Sequence, residues 1–209
     1  MSAAATGTWD ANAGRYGRQD GLEAAAVAAA LRVADPGTGD RVVDLATGTG
    51  LVLRALARRG ASPRQAVGVD RSPGMLHRVG ELPPDWSVVC ADARQVPLPT
   101  GGADLVTCAY LLQLLTAGER AEVLAEARRL MAPGARLVLV TPWCDRRRVG
   151  GRIACRGMAM VARARPATWG GLHPVDPTAD LQAAGFAVTH RVQLPRGGYP
   201  SLVLGARVA

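Results

Sequence analysis

Short apolar runs recur along the chain, separated by turns and by stretches with helical spacing. Val42-Val43-Asp44-Leu45 reads as a buried strand ending in an acid, followed by the small-residue turn Ala46-Thr47-Gly48-Thr49-Gly50. Leu51 to Gly60 then sets Leu51, Leu53, Leu56 and Ala57 among Arg54, Arg58 and Arg59, the spacing of a helix. Glu23 to Ala34 predicts an earlier helix, stopped at Asp35-Pro36-Gly37. Gln65 to Val69 (closed by Asp70), Trp86 to Cys90, Ala103 to Ala109 and Arg136 to Val140 predict further strands. Between them, Ser72-Pro73 opens a helix with proline in its first turn, where the missing N–H costs nothing. Ala117 to Met131 is an amphipathic helix that Pro133-Gly134 is expected to stop. This alternation predicts an α/β fold, a mostly parallel sheet covered by helices on both faces.

The last stretch breaks the alternation. Asp180 to Ala184 predicts a short helix ended by Gly185, and Phe186 to Val192 and Ser201 to Arg207 follow with only a turn at Pro195 to Pro200 between them. Runs joined so closely pair as an antiparallel hairpin. Five parallel strands and this C-terminal hairpin make a seven-stranded sheet.

At 209 residues and 48% hydrophobic content, the chain suits one well-buried domain. Aromatics are 4%, so Leu, Val and Ala must fill the core. The net charge is +8 and all 25 basic residues are arginine. Arg, Ala, Gly and Pro share GC-rich codons, so the basic balance alone does not point to nucleic acid. Cys90, Cys108, Cys144 and Cys155 lack metal-type spacing such as C-x-x-C, and nothing in their placement predicts a disulfide framework. The expected location is therefore a reducing cytoplasm. Met1 to Asp10 has no basic segment followed by an apolar run, so no secretory leader is expected. Ala24 to Ala30 is too short and too flanked by charge to span a membrane.

A strand, a glycine turn and a helix bring backbone N–H groups up to a nucleotide-like ligand, and glycine permits close approach. Further motifs follow in order. Gly68-Val69-Asp70 puts an acid at the end of the second strand, where it can accept from both ribose hydroxyls of a nucleoside. Ala91-Asp92-Ala93 follows the third strand, and Cys108-Ala109-Tyr110-Leu111-Leu112-Gln113 leaves the fourth. Together these motifs resemble the class I S-adenosylmethionine-dependent methyltransferases, in the branch that looks like the ubiquinone/menaquinone-biosynthesis enzymes. The resemblance covers residues 40 to 141 well and the hairpin in outline.

It implies a Rossmann-like seven-stranded sheet and S-adenosyl-L-methionine as cofactor. Gly48 and Gly50 would lie beneath its methionyl part, with Thr47 and Ala46 in the same loop; the general family has Gly where Ala46 stands. Asp44 would reach the ammonium, directly or through water, or else cap the turn. Asp70, followed by Arg71, would hold the ribose. Met75 would lie against the adenine, unless it is simply core. Asp92 would accept from the adenine amino group while the N–H of Ala93 donates to the ring. Backbone near Cys108 and the ring of Tyr110 would stand by the cofactor. Tyr16 resembles an aromatic that closes over it, and surface tail fits Tyr16 equally. Gln113 stands where many relatives carry His, which removes an acid/base group.

The implied reaction is in-line methyl transfer to a small, apolar or aromatic acceptor, quinone-like or a natural product. Positioning alone can supply effective molarities on the order of 10⁵ M, and a base is needed only for a weakly acidic acceptor. His173 is the candidate for that role, with loop exposure as the competing reading. Residues 144–172 read as a substrate lid, with seven arginines between Arg146 and Arg165 interleaved with Ile153, Met158, Met160 and Val161. That pattern fits an amphipathic helix meeting an anionic or membrane-associated acceptor, or a solvated helix. Trp143 and Trp169 flank it and could line an apolar pocket. The single domain would comprise an N-terminal cap (1–36), a cofactor-binding core (40–141), the lid, and a terminal helix and hairpin (177–209). No metal or nucleic-acid partner is expected, while a homodimer and peripheral membrane contact stay open. Alternatives are an RNA or protein methyltransferase, or a cofactor-binding protein without methyl transfer. A dinucleotide oxidoreductase would want Gly-x-Gly-x-x-Gly, and Leu53 occupies the third position.

Overall fold

The computed structural model describes residues 20–59, 62–145, 149–164 and 173–209. Its seven-stranded sheet has the order β3-β2-β1-β4-β5-β7-β6. Strands β1 (Arg41–Leu45), β2 (Gln65–Asp70), β3 (Ser87–Cys90), β4 (Ala103–Ala109) and β5 (Met131–Pro142) run parallel. The hairpin of β6 (Phe186–Leu194) and β7 (Ser201–Val208) is antiparallel, and β7 lies between β5 and β6. The helices are α1 (Asp20–Ala34), α2 (Leu51–Ala57), α3 (Pro73–Leu76), α4 (Ala117–Leu130), α5 (Val149–Ala164) and α6 (Thr178–Ala183). None of those described is long and apolar enough to cross a membrane.

The central strands β1, β2, β4, β5 and β7 are mostly buried on both faces, which is why they are apolar without alternation, whereas the edge strands β3 and β6 are largely exposed. Val42 packs with Leu31 of α1 and Leu53 and Leu56 of α2, whereas Val43 and Leu45 pack with Val123, Leu124 and Leu130 of α4. Local chemistry sets the helix starts. Ser72 Oγ accepts the Met75 N–H at 3.2 Å, and Thr116 and Glu119 exchange hydrogen bonds in a capping box ahead of α4.

Three expectations need correction. Pro133-Gly134 does not separate α4 from a strand starting at Arg136: α4 ends at Leu130 and β5 begins at once with Met131 opposite Ala103. The left-handed Gly134 (φ 79°) is absorbed within β5, whose register against β4 shifts between Ala103 and Leu105. Trp86 precedes β3 rather than opening it, and its indole N–H donates to the Pro63 carbonyl at 3.3 Å. Cys144 and Cys155 are disulfide-bonded, because α5 folds back onto the end of β5 and brings their Cα atoms to 6.0 Å. That pairing is invisible in residue spacing alone.

Candidate cofactor-binding site

The strand order turns back between β1 and β4, and the loops leaving β1, β2, β3 and β4 open there into one cleft. It encloses about 750 Å³ including its open mouth. Ala46 and Gly48 line it after β1, Asp70 and Arg71 after β2, Met75 from α3, Asp92, Ala93 and Arg94 after β3, and Tyr110, Leu111, Leu114 and Leu115 after β4.

Three amides of the turn after β1 are occupied within the protein. Thr47 N–H donates to the Val69 carbonyl (2.9 Å), Gly48 N–H to Asp70 Oδ2 (2.8 Å) and Gly50 N–H to the Thr47 carbonyl (2.9 Å). A phosphate-binding loop needs such amides free. Both Ala46 (φ 57°) and Gly48 (φ 56°) are left-handed. A Cβ at Gly48 would meet no protein atom within 4 Å, so the space there is open to a ligand. At Gly50 (φ 82°) a Cβ would come 2.8 Å from Val79 Cγ1, so that glycine serves packing.

Two carboxylates stand against this turn, Asp44 buried and Asp70 half-buried. Asp44 is 1% exposed; Oδ1 accepts from Thr107 Oγ1 at 2.6 Å, and Oδ2 has no hydrogen-bond partner. Burial pushes its pKa up to about 6, against smaller downward pulls from the Thr107 and Thr47 hydroxyls. The Thr47 hydroxyl is near enough to favour the ionised form, yet its geometry falls short of a hydrogen bond. Asp70 is held by the backbone, with Oδ2 on Gly48 N–H and Oδ1 on Ser72 N–H at 2.9 Å. Burial raises its pKa despite those bonds. Asp92 differs: Arg94 clamps both its oxygens, Nε on Oδ1 at 3.0 Å and Nη2 on Oδ2 at 2.7 Å, and holds its pKa down.

A second cavity lies between the end of β5, the first turn of α5 and the turn from β6 to β7. It holds about 1420 Å³ including its opening, lined in part by Trp143, Gly151, Leu194, Pro195 and Pro200. Arg191 lies over the Trp143 ring at 5.5 Å and pairs with Asp176 at 2.7 Å. Tyr110 lines the first cleft, and its hydroxyl is 2.9 Å from the Oγ of Ser201, the residue after Pro200.

Residues 42–134 match the methyltransferase domain family. Over that segment the chain is similar to the class I S-adenosylmethionine-dependent methyltransferases. It is 37% identical over 142 residues to a dimethylglycine N-methyltransferase of Parasynechococcus marenigrum, covering 64% of this chain and 50% of that protein. It is 38% identical over 104 residues to a demethylmenaquinone methyltransferase of Thermus thermophilus, covering 48% and 46%. That second relative lies in the branch the motifs resemble. The chain thus spans about half the length of these curated relatives. Among solved structures, it is similar in fold to a chain of the complex between the Haloferax volcanii Trm112 methyltransferase activator and a methyltransferase. The TM-score is 0.66 at 18% identity, over 96% of this chain and 94% of that one.

Against the methyltransferase motifs, the structure brings Ala46, Gly48, Asp70, Arg71, Met75, Asp92, Ala93 and Tyr110 into one cleft. Asp44, Thr47, Gly50 and Cys108 are buried but do not line it. The Cys108 thiol is inert there, its pKa pushed well up by burial. Met75 is 3% exposed and lines the cleft, so core packing and ligand contact are open to the same side chain. Gln113 Nε2 donates to the Tyr110 carbonyl at 2.5 Å and so shapes the loop where relatives carry His. His173 is exposed and lines neither cavity. Tyr16 and Trp169 lie outside the described residues. Sequence reasoning missed Arg94, Leu111, Leu114 and Leu115. The apolar density of Leu111-Leu112-Gln113-Leu114-Leu115, too high for an exposed loop, was a usable signal for the leucines. Behind the cleft wall, the unpartnered Asp44 oxygen and the Thr47 hydroxyl suit an ammonium group, and Asp70 beside the open space over Gly48 suits vicinal hydroxyls.

Proposed function

We propose that the protein moves a methyl group from S-adenosyl-L-methionine to a small apolar or aromatic acceptor. One observation carries this reading: a buried carboxylate (Asp44) and a half-buried one (Asp70) stand at the cleft, while the Thr47, Gly48 and Gly50 amides of the turn are already bonded. Such a set suits a ligand bringing a cation and hydroxyl donors, and opposes a pyrophosphate. Asp44 takes the ammonium with its unpartnered oxygen, directly or through water. Asp70 takes the ribose hydroxyls on the acceptor positions its two backbone bonds leave open. Asp92, oriented and kept ionised by Arg94, takes the adenine amino group, with Met75, Leu114 and Leu115 around the ring. When bound, the cofactor would supply an electrophilic methyl carbon on a cationic sulfur, open to in-line displacement by a lone pair of the acceptor. The chain's own contribution is to hold both reactants and exclude water. Trp143, Leu194, Pro195 and Pro200 give the second cavity apolar walls for the acceptor. The resemblance to a demethylmenaquinone methyltransferase supports an acceptor of quinone type.

Calorimetric titration with S-adenosylhomocysteine tests the cofactor half, with Asp70→Asn as the comparison. Transfer of a radiolabelled methyl group to a panel of hydroquinones and phenols tests the acceptor half. One-site binding weakened about tenfold or more by the substitution, the worth of a charged hydrogen bond, supports the reading. A folded protein that binds no S-adenosylhomocysteine ends it.

A further inference from the structure

Charge is distributed unevenly along this chain. From Arg146 to Val175 there are seven arginines and no acidic residue, so one segment carries +7 of the net +8. Helix α5 lies within it, and the fold gives that helix a fixed inside and outside. Inside, Cys155 is 9% exposed and bonded to Cys144 at the end of β5, and Gly151 sits against the Asp145 carbonyl with no room for a side chain. Outside, Arg152, Ile153, Arg156 and Met160 are all exposed. At 3.6 residues per turn these four share an arc of about 100°. Ile153 is 65% exposed and Met160 68%, against 38% for Leu22 and 40% for Val208, the other exposed large apolar residues among those described. A face that only needed solvation would not set bare Ile and Met beside its arginines.

We propose that this face of α5 docks on a bilayer surface containing anionic phospholipid. The guanidinium groups meet lipid phosphates, and Ile153 and Met160 enter the boundary beneath the headgroups. The first turn of the same helix, at Gly150 and Gly151, is part of the wall of the second cavity. Docking therefore sets that cavity at the membrane surface, where an apolar acceptor partitions. This last step rests on the methyl-transfer reading; the docking itself does not. A nucleic acid would engage the arginines through phosphate and be indifferent to Ile153 and Met160.

The test is co-sedimentation of the full chain with vesicles of phosphatidylcholine alone or mixed with an equal part of phosphatidylglycerol, at about 0.1 M and about 0.5 M salt. Binding to the anionic vesicles is expected to exceed binding to neutral ones by roughly 30-fold at low salt, the worth of two arginines, and to fall steeply at high salt. Arg152→Gln/Arg156→Gln and Ile153→Ser/Met160→Ser should each remove most of it, with thermal unfolding unchanged. Equal pelleting with both vesicle types overturns the proposal. So does a serine variant that binds as tightly as the wild type, the mark of a phosphate-only contact such as RNA. A wild-type dimer that the serine variant splits in analytical ultracentrifugation assigns the face to a second copy, and overturns it likewise. The vesicles contain neither cofactor nor acceptor. A chain that pellets with them yet binds no S-adenosylhomocysteine therefore sinks the methyl-transfer reading and leaves this one standing, and the reverse pattern sinks only this one.

Discussion

Replacing Asp44 by asparagine separates the cost of a buried charge from its use. In the ligand-free protein, burial lifts this carboxyl from 3.8 to about 6. A difference of about 2 in pKa corresponds to about 3 kcal/mol once the pH lies above both values. The folded chain holds this proton more tightly than the unfolded chain does. The group's contribution is therefore most favourable below about pH 4 and declines as pH rises through about 6. Asparagine has nearly the same shape, keeps an oxygen for the Thr107 hydroxyl, and brings no charge to bury. Asp44→Asn is thus expected to be more stable than the wild type at about pH 8, by at most ~3 kcal/mol or ~6–12 °C in Tm, and to match it near pH 4. Ligand binding should move the other way, with S-adenosylhomocysteine held about 10–100-fold more weakly once the ammonium loses its counter-charge. Scanning calorimetry at the two pH values and calorimetric titration measure both halves. A variant that is less stable at about pH 8 and binds the ligand normally would falsify the argument, leaving Asp44 as a structural cap of the turn.

In the wild type, affinity for S-adenosylhomocysteine should fall as pH drops through about 6, approaching tenfold per unit, with protons released on binding there. Calorimetric heats that do not vary with the buffer near that pH would contradict this. Gly48→Ala has only its left-handed φ to overcome, about 1–2 kcal/mol, but fills space meant for the ligand and should lose binding while remaining folded. Gly50→Ala adds the contact with Val79 and should lower Tm further; equal losses of Tm in the two variants would refute the distinction. Native alkylation without reductant, read by mass spectrometry, should label exposed Cys90 and spare buried Cys108 and the bonded Cys144 and Cys155. Ready labelling of Cys144 or Cys155 would mean the disulfide is absent in solution.

Asp44, Asp70 and Asp92 could be placed from sequence because each closes or just follows an apolar run. In a parallel sheet, those ends converge on one edge. The small residues between them were legible for the same reason: a turn approached closely by a ligand tolerates little else. What stayed hidden depends on contacts that spacing does not encode. Arg94 is two residues from Asp92, yet its clamp depends on how the loop closes. Its reach to Glu122 of α4, 3.3 Å, depends on how that helix packs. Met131 to Ala135 reads as a helix end followed by a break, but Met131 finds a partner in Ala103 and so becomes strand. The disulfide required the path of α5, and the exposure of His173 required knowing which loops face the cavities.

Ala46 and Tyr110 are two of the three non-glycine residues with a left-handed backbone among those described, and both line the cleft. Each sits where an L-residue is disfavoured by roughly 1 kcal/mol, so local conformational cost is concentrated at the ligand site. An engineer seeking heat resistance would be drawn to these two positions first, since relaxing them looks free by every measure of folding. They are also where the floor of the cleft takes its shape. Hardening this protein at its weakest backbone points is thus expected to trade against grip on a ligand in the cleft. A lineage adapting to a hotter habitat would do better to change α1 or the terminal hairpin and leave the ends of β1 and β4 as they are.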